Sequence, residues 1–156
     1  MTNEEALTSQ SSKRRILVVD NEKDITIALQ VELEDVGFDV DTFTDPSLAL
    51  KSFKPNFYDL VLIDIIMPNM DGFELHERLK KIDPDMKVCF LTASEMYHEE
   101  FRKVEHCILN EDIFLQKPIS TDDLVKEVNK KIDKKIDSSN RYIQFFGSII
   151  FIPFSL

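Results

Sequence analysis

The chain has 156 residues, 43% hydrophobic and 31% charged, enough for one ordinary globular domain with its own core. Twenty-nine acidic against 19 basic side chains leave a net charge of −10, which argues against nonspecific nucleic-acid binding and fits a solution protein that meets proteins, metal ions or small molecules. Cys89 and Cys107 form neither a metal-binding spacing nor a disulfide framework, and Cys89, inside "KVCFLTA", reads as a buried thiol in a reducing cytoplasm.

The first segment, "MTNEEALTSQSSKRR", has no apolar stretch of the secretory kind and reads as a polar, disordered leader over residues 1–13. "RILVVD" (15–20) is a continuous apolar run, as expected of a strand buried on both faces. In "NEKDITIALQVELEDVG" the apolar Ile25, Ala28, Leu29, Leu33 and Val36 recur at helical spacing, and Gly37 stands where a helix would close. "FDVDTF" (38–43) alternates like a half-exposed strand, and "DPSLALKSF" starts a helix with Asp45 as cap and Pro46 in the first position. "DLVLIDIIMPNMDGFEL" (59–75) gives a third strand ending in Asp64, a break at Pro68 and a turn at Asp71-Gly72, with "GFELHERLKKI" as the third helix. "MKVCFLT" (86–92) is a fourth strand, "SEMYHEEFRKVEH" (94–106) a helix and "DIFLQKP" (112–118) a fifth strand. A last helix over "STDDLVKEVNKKIDKKID" (120–137) is capped at Ser120 or Thr121 and carries Leu124, Val128, Ile132 and Ile136 every four residues.

Strands alternating with helices through five units imply an α/β fold whose parallel sheet is covered on both faces, with ligands at the carboxyl ends of the strands. Asp20, Asp64, Thr92 and Lys117 end the first, third, fourth and fifth strands and so open onto one edge. Two carboxylates, a hydroxyl and an ammonium there compensate one another when a divalent cation joins them, and hard oxygen ligands suit Mg2+.

"RILVVDNE", "LVLIDIIMPNMDG", "VCFLTA" and "FLQKPI", in this order and spacing, resemble the receiver domain of two-component response regulators over residues 14–137. The resemblance implies a doubly wound, flavodoxin-like five-stranded sheet in the order 2-1-3-4-5. It implies that Asp64 accepts a phosphoryl group from a sensor histidine kinase or a phosphotransfer protein, with Mg2+ held by Asp20, Asp64 and the backbone carbonyl of Ile66. Lys117 would pair with the phosphoryl oxygens, Thr92 and Phe114 would switch together, and the Lys117-Pro118 bond would be cis. Ile66 and Ser94 would tune dephosphorylation. The helix over 94–106, the fifth strand and the last helix would form the surface that an unknown downstream partner reads, with a homodimer left open. A stand-alone cytoplasmic switch without a DNA-binding output domain is the expectation.

One position departs from the family. Most receivers carry two adjacent acids after the first strand, and here the pair is Asp20-Asn21. Either Asn21 still ligates and Mg2+ binds more weakly, or the domain is a pseudo-receiver that binds proteins without phosphorylation. Ile66, apolar and branched, should hinder the hydrolytic water and slow self-dephosphorylation, unless it only packs on a neighbouring loop. A phosphohydrolase with an aspartyl-phosphate intermediate would need an Asp-x-Asp pair where Asp20-Asn21-Glu22 stands, and a cap insertion that the chain lacks.

His76, His98 and His106 have no metal-ligand spacing and read as surface or helix-face residues. Lys126, Lys130, Lys131, Lys134 and Lys135 read as the solvated face of the last helix. The uncharged tail "YIQFFGSIIFIPFSL" (142–156), within residues 138–156 beyond the domain, is too short to span a bilayer. Membrane contact, a partner-binding segment and packing on the domain all remain open for it.

Overall fold

Alternate residues of a strand face opposite sides of a sheet, so a sheet covered on both sides needs apolar residues at every position. The computed structural model, which describes residues 12–93 and 114–134, shows that arrangement. Five parallel strands, β1 (Arg15–Val19), β2 (Asp39–Phe43), β3 (Leu60–Asp64), β4 (Val88–Thr92) and β5 (Phe114–Gln116), lie in the order β2-β1-β3-β4-β5. Between them run α1 (Lys23–Asp35), α2 (Pro46–Ser52) and α3 (Gly72–Ile82), and the last helix spans Thr121–Asp133.

Ile16, Val18, Leu60, Leu62, Cys89 and Leu91 face Leu29 and Leu33 of α1 and Leu124, Val128 and Ile132 of the last helix. Leu17, Val19, Val61, Ile63 and Phe90 face Ala49 of α2 and Leu75 and Leu79 of α3. All five residues of β3 are buried, so the central strand is dry on both faces up to its terminal carboxylate. Burial likewise pushes the Cys89 thiol up to about 12, which leaves it an inert core group. From β1 the chain moves outward to β2 and then returns across to β3, and the crevice between the ends of β1 and β3 is where such sheets place a site.

The helix ends show why some boundaries differ from those the periodicity suggests. Gly37, at φ +100°, closes α1: its N–H donates to Glu34 O at 3.0 Å and the Phe38 N–H to Leu33 O at 3.2 Å. Phe38 has thus committed its donor to the helix, and β2 starts at Asp39. Met86 donates to Asp83 O in a turn, so β4 begins at Val88 and not at Met86. Asp45, Asp71 and Ser120 cap α2, α3 and the last helix through the N–H groups of Ser47, Glu74 and Asp123. The last helix ends at Asp133, short of the expected 137, because Lys134 turns to φ −66°, ψ 118°.

Two residues expected at the surface are buried. His76, 2% exposed, lies edge-on to Phe90 with ring centroids 5.3 Å apart, since positions 75, 76 and 79 share the inner face of α3. Lys131, 8% exposed, lays its stem against the core and meets Glu127 one turn back at 3.0 Å, while Lys126, Lys130 and Lys134 are solvated as expected. Among the described residues no helix is long and apolar enough to cross a membrane. The segment 94–106, Ser94, His98, His106, Cys107, residues 112–113, Lys135, Ile136 and the tail 142–156 lie outside the described residues, as does the leader up to residue 11.

Candidate functional site

Each strand end contributes one group because the parallel register brings the ends level. Asp20, the residue after β1, is fixed by its N–H to Phe43 O at 3.1 Å and is fully buried. Its Oδ1 accepts the Glu22 N–H at 2.9 Å and its Oδ2 accepts Lys117 Nζ at 2.5 Å. Asp64 closes β3 at 6% exposure, with Oδ1 3.5 Å from the same ammonium. Lys117 reaches them from just past β5, where its N–H donates to Thr92 O at 2.7 Å and the Lys117-Pro118 peptide is cis. One cation therefore bridges two buried carboxylates, the arrangement that lets both remain charged away from water.

The loop after β3 is tied back onto the strand. Ile65 donates to Leu91 O at 3.1 Å and accepts the Gly72 N–H at 2.9 Å. That last bond presses the first turn of α3 onto the end of β3 so closely that a Cβ on Gly72 would lie 2.3 Å from Asp64 O. Asn69 turns the loop at φ +71°, a conformation asparagine tolerates better than most residues.

Asn21 enters from the β1–α1 turn. One atom of its carboxamide lies 3.1 Å from Ile66 O and 3.2 Å from Asp64 Oδ2, and an oxygen there would face acceptors only. With the amide turned so that its nitrogen stands there, it donates to both. The site thus joins Asp20, Asn21, Asp64, Lys117 and the Ile66 carbonyl. Ile66 is 53% exposed.

Thr92, 1% exposed, stands at the same edge, one residue beyond Leu91, the register partner of Asp64. Phe114 is half-buried and stacks on Phe90 at 5.6 Å and 28°, and Phe90 also meets Phe73 at 5.0 Å. The strand ends do not point to Gly72, which in the sequence reads only as a turn residue, or to the Phe73–His76–Phe90–Phe114 cluster beneath the edge. The aromatic residues at β4 and β5 positions were the available signal for that cluster.

Burial, helped by the Asp20 carboxylate, pushes the Asp64 carboxyl up from an ordinary 3.8 to about 6, with Lys117 and the Ile66 N–H pulling the other way. A folded carboxyl that keeps its proton to higher pH than the unfolded one contributes stability below pH 3.8 that is lost as pH rises through about 6. Asp64→Asn removes that loss. In chelator at pH 7.5 the variant should be more stable than the wild type by about 1–2 kcal/mol after screening at the open edge, and the gap should close below pH 4. Urea unfolding at the two pH values checks this, and an equal gap at both would refute it.

The donor set is chemically suited to Mg2+: the carboxylates of Asp20 and Asp64, the Ile66 carbonyl and, after a half-turn, the Asn21 amide oxygen are all hard oxygens. Among the described residues no three His, Cys, Asp or Glu gather at one point, so a cation here would rely on amide and carbonyl oxygens as well as the two acids.

Residues 16–129 match the model of a family described as the response regulator receiver domain. The chain is 36% identical over 119 residues to the alkaline phosphatase synthesis transcriptional regulatory protein PhoP of Bacillus subtilis, covering 76% of this chain and 47% of that protein. It is 34% identical over 126 residues to the response regulator receiver protein CpdR of Brucella abortus, covering 76% of this chain and 97% of that one. The chain spans about half the length of the first curated relatives it matches. Among solved structures it resembles the response regulator TrrA from Thermotoga maritima in complex with Mg2+ and BeF, with 34% identity, TM-score 0.63, and 75% and 97% of the two chains covered. It also resembles the non-phosphorylated HemR receiver domain from Leptospira biflexa, with 28% identity, TM-score 0.68, and 80% and 98% covered.

Proposed function

The chain belongs to the response regulator receiver family of two-component phosphorelay signalling, and on that premise we propose that Asp64 is its phosphoryl acceptor. The observation that carries the reading is the bridge from Lys117 to both Asp20 and Asp64 at the sheet edge, at 2.5 and 3.5 Å. An Asp64 oxygen attacks the phosphorus of a phosphohistidine on a sensor kinase or phosphotransfer protein. The P–N bond breaks, its electron pair returns to the imidazole nitrogen, and an acyl phosphate forms on Asp64.

Phosphoryl transfer asks the protein chiefly for positioning and for neutralising charge on the equatorial oxygens. Lys117 holds the acceptor before transfer and supplies an ammonium to the phosphoryl oxygens after it. Asp20, Asp64, the Ile66 carbonyl and the Asn21 amide oxygen would hold Mg2+, which would supply the rest of that neutralisation. Thr92 turns its hydroxyl to the new phosphate, and Phe114, stacked on Phe90, moves with it. The change is passed to a downstream protein through β5, the last helix and the segment 94–106. Ile66, exposed at the mouth, hinders the approach of hydrolytic water, together with Ser94. The protein acts in the cytoplasm.

A second reading is favoured by one observation: the Asn21 amide lies within hydrogen-bond reach of Asp64 Oδ2 and Ile66 O. On that reading the domain binds its partner without cycling phosphate.

Intact-mass measurement after incubation with acetyl phosphate and Mg2+ separates the two. The wild type should gain one phosphoryl group that decays slowly, and Asp64→Ala or a chelator should leave the mass unchanged. If neither acetyl phosphate nor a phosphorylated kinase domain modifies the wild type, the phosphorylation-independent reading replaces the first.

A further inference from the structure

The position of the Asn21 carboxamide imposes an electrostatic choice. Its inward atom faces Ile66 O at 3.1 Å and Asp64 Oδ2 at 3.2 Å. A backbone carbonyl only accepts, as does a carboxylate, so an inward amide oxygen would set three oxygens against one another with no hydrogen between them. An inward nitrogen has two hydrogens, one for each neighbour. A half-turn about the Cβ–Cγ bond exchanges the two atoms with almost no change of shape. With a divalent cation among these oxygens the preference reverses, because an inward oxygen is then a ligand and an inward NH2 is repelled.

Aspartate at this position would have no such choice. It would present an oxygen in both situations and add a third carboxylate beside Asp20 and Asp64, which share the Lys117 ammonium. Asn21 is itself exposed at the turn.

We propose that Asn21 is a reversible ligand: without a divalent cation its NH2 clasps Asp64 Oδ2 and Ile66 O, and Mg2+ enters only as the amide turns to present Oδ1. The metal-free site is thereby braced by a neutral group, and metal loading is displaced to higher Mg2+ concentration. The consequence for signalling rests on the acceptor role of Asp64 given above, whereas the amide turn itself does not require phosphorylation.

The test uses the full chain, uniformly 15N-labelled, with Mg2+ alone as the probe. The Asn21 side-chain NH2 resonances, identified by their loss in Asn21→Asp, should shift along the same titration curve as the Ile66 backbone amide. Calorimetry should show Asn21→Asp binding Mg2+ ~10-fold or more tightly than the wild type, from the added anionic ligand. The order of thermal stability should cross, with Asn21→Asp melting below the wild type in chelator and above it in saturating Mg2+. Asn21→Ala, which loses the clasp without adding charge, should also melt below the wild type in chelator and gain less from Mg2+ than Asn21→Asp.

The proposal is overturned if Mg2+ binds the wild type without moving the NH2 resonances, if the wild type binds no Mg2+, or if both variants match its stability in chelator. These readings are independent of the mass measurement. A moving amide without a phosphoryl adduct would sink the acceptor reading alone, and an adduct with an unmoved amide would sink this one alone.

Discussion

Gly72→Ala should lose the site and destabilise the fold by roughly 3–4 kcal/mol, a fall in melting temperature on the order of 10 °C. The added Cβ would stand 2.3 Å from Asp64 O, 2.9 Å from Ile65 Cα and 3.0 Å from the Asp64 carbonyl carbon. All three are backbone atoms at the end of β3 and the residue after it, so no flexible side chain can swing aside. Relief requires α3 to withdraw, which breaks the Gly72 N–H bond to Ile65 O and frees the loop that carries the Ile66 carbonyl. Thermal unfolding and Mg2+ binding should therefore fail together in this variant. A melting temperature within about 2 °C of the wild type would show that the helix start moves freely and that the contact imposes little.

Lys117→Met should destabilise the metal-free protein by about 3 kcal/mol at pH 7.5, because the variant keeps the stem and leaves the buried carboxylates of Asp20 and Asp64 without their cation. Asp20 has no exposure at all, so water cannot replace the ammonium there. Asp64, already raised by burial and no longer held down by Lys117, holds its proton more tightly in the folded variant than in the unfolded one. The deficit of the variant is thus full at high pH and shrinks as pH falls and Asp64 takes up that proton. Mg2+ should restore part of the loss at pH 7.5 by supplying the missing positive charge. Urea unfolding at pH 5 and 7.5, with chelator and with Mg2+, checks the set. A deficit unchanged by pH and by Mg2+ would mean that the lysine acts by its stem alone.

Much of this fold was legible in the sequence for a plain physical reason. A strand covered on both faces must be apolar throughout, so "ILVV" and "LVLI" announce themselves, and a polar residue at the end of such a run marks the open edge. Asp20, Asp64, Thr92 and Lys117 were found that way. Boundaries were less legible because they depend on where a single N–H is committed: Phe38 to the close of α1, Met86 to the turn at Asp83. Burial of His76 and Lys131 was missed because each lies one position from an apolar stripe, and Phe90 and Glu127 decide the matter. The crowding at Gly72 and the neighbours of the Asn21 amide are beyond reach, since each answers to oxygens supplied by another element.

The two outer strands have a bearing on how this molecule keeps its own company. Among the described residues β5 has three, and β2 carries Asp39 and Asp41 among its five. Asp41 is engaged by the Tyr58 hydroxyl at 2.7 Å, and Asp39 lies 3.9 Å from Lys13. Among the described residues neither margin offers a long, flat, uncharged row of backbone donors and acceptors to a second chain. Edge-to-edge pairing is thus discouraged at both described margins of the sheet, which leaves side chains on the helical flanks, and no invariant backbone template, as the surface for recognition.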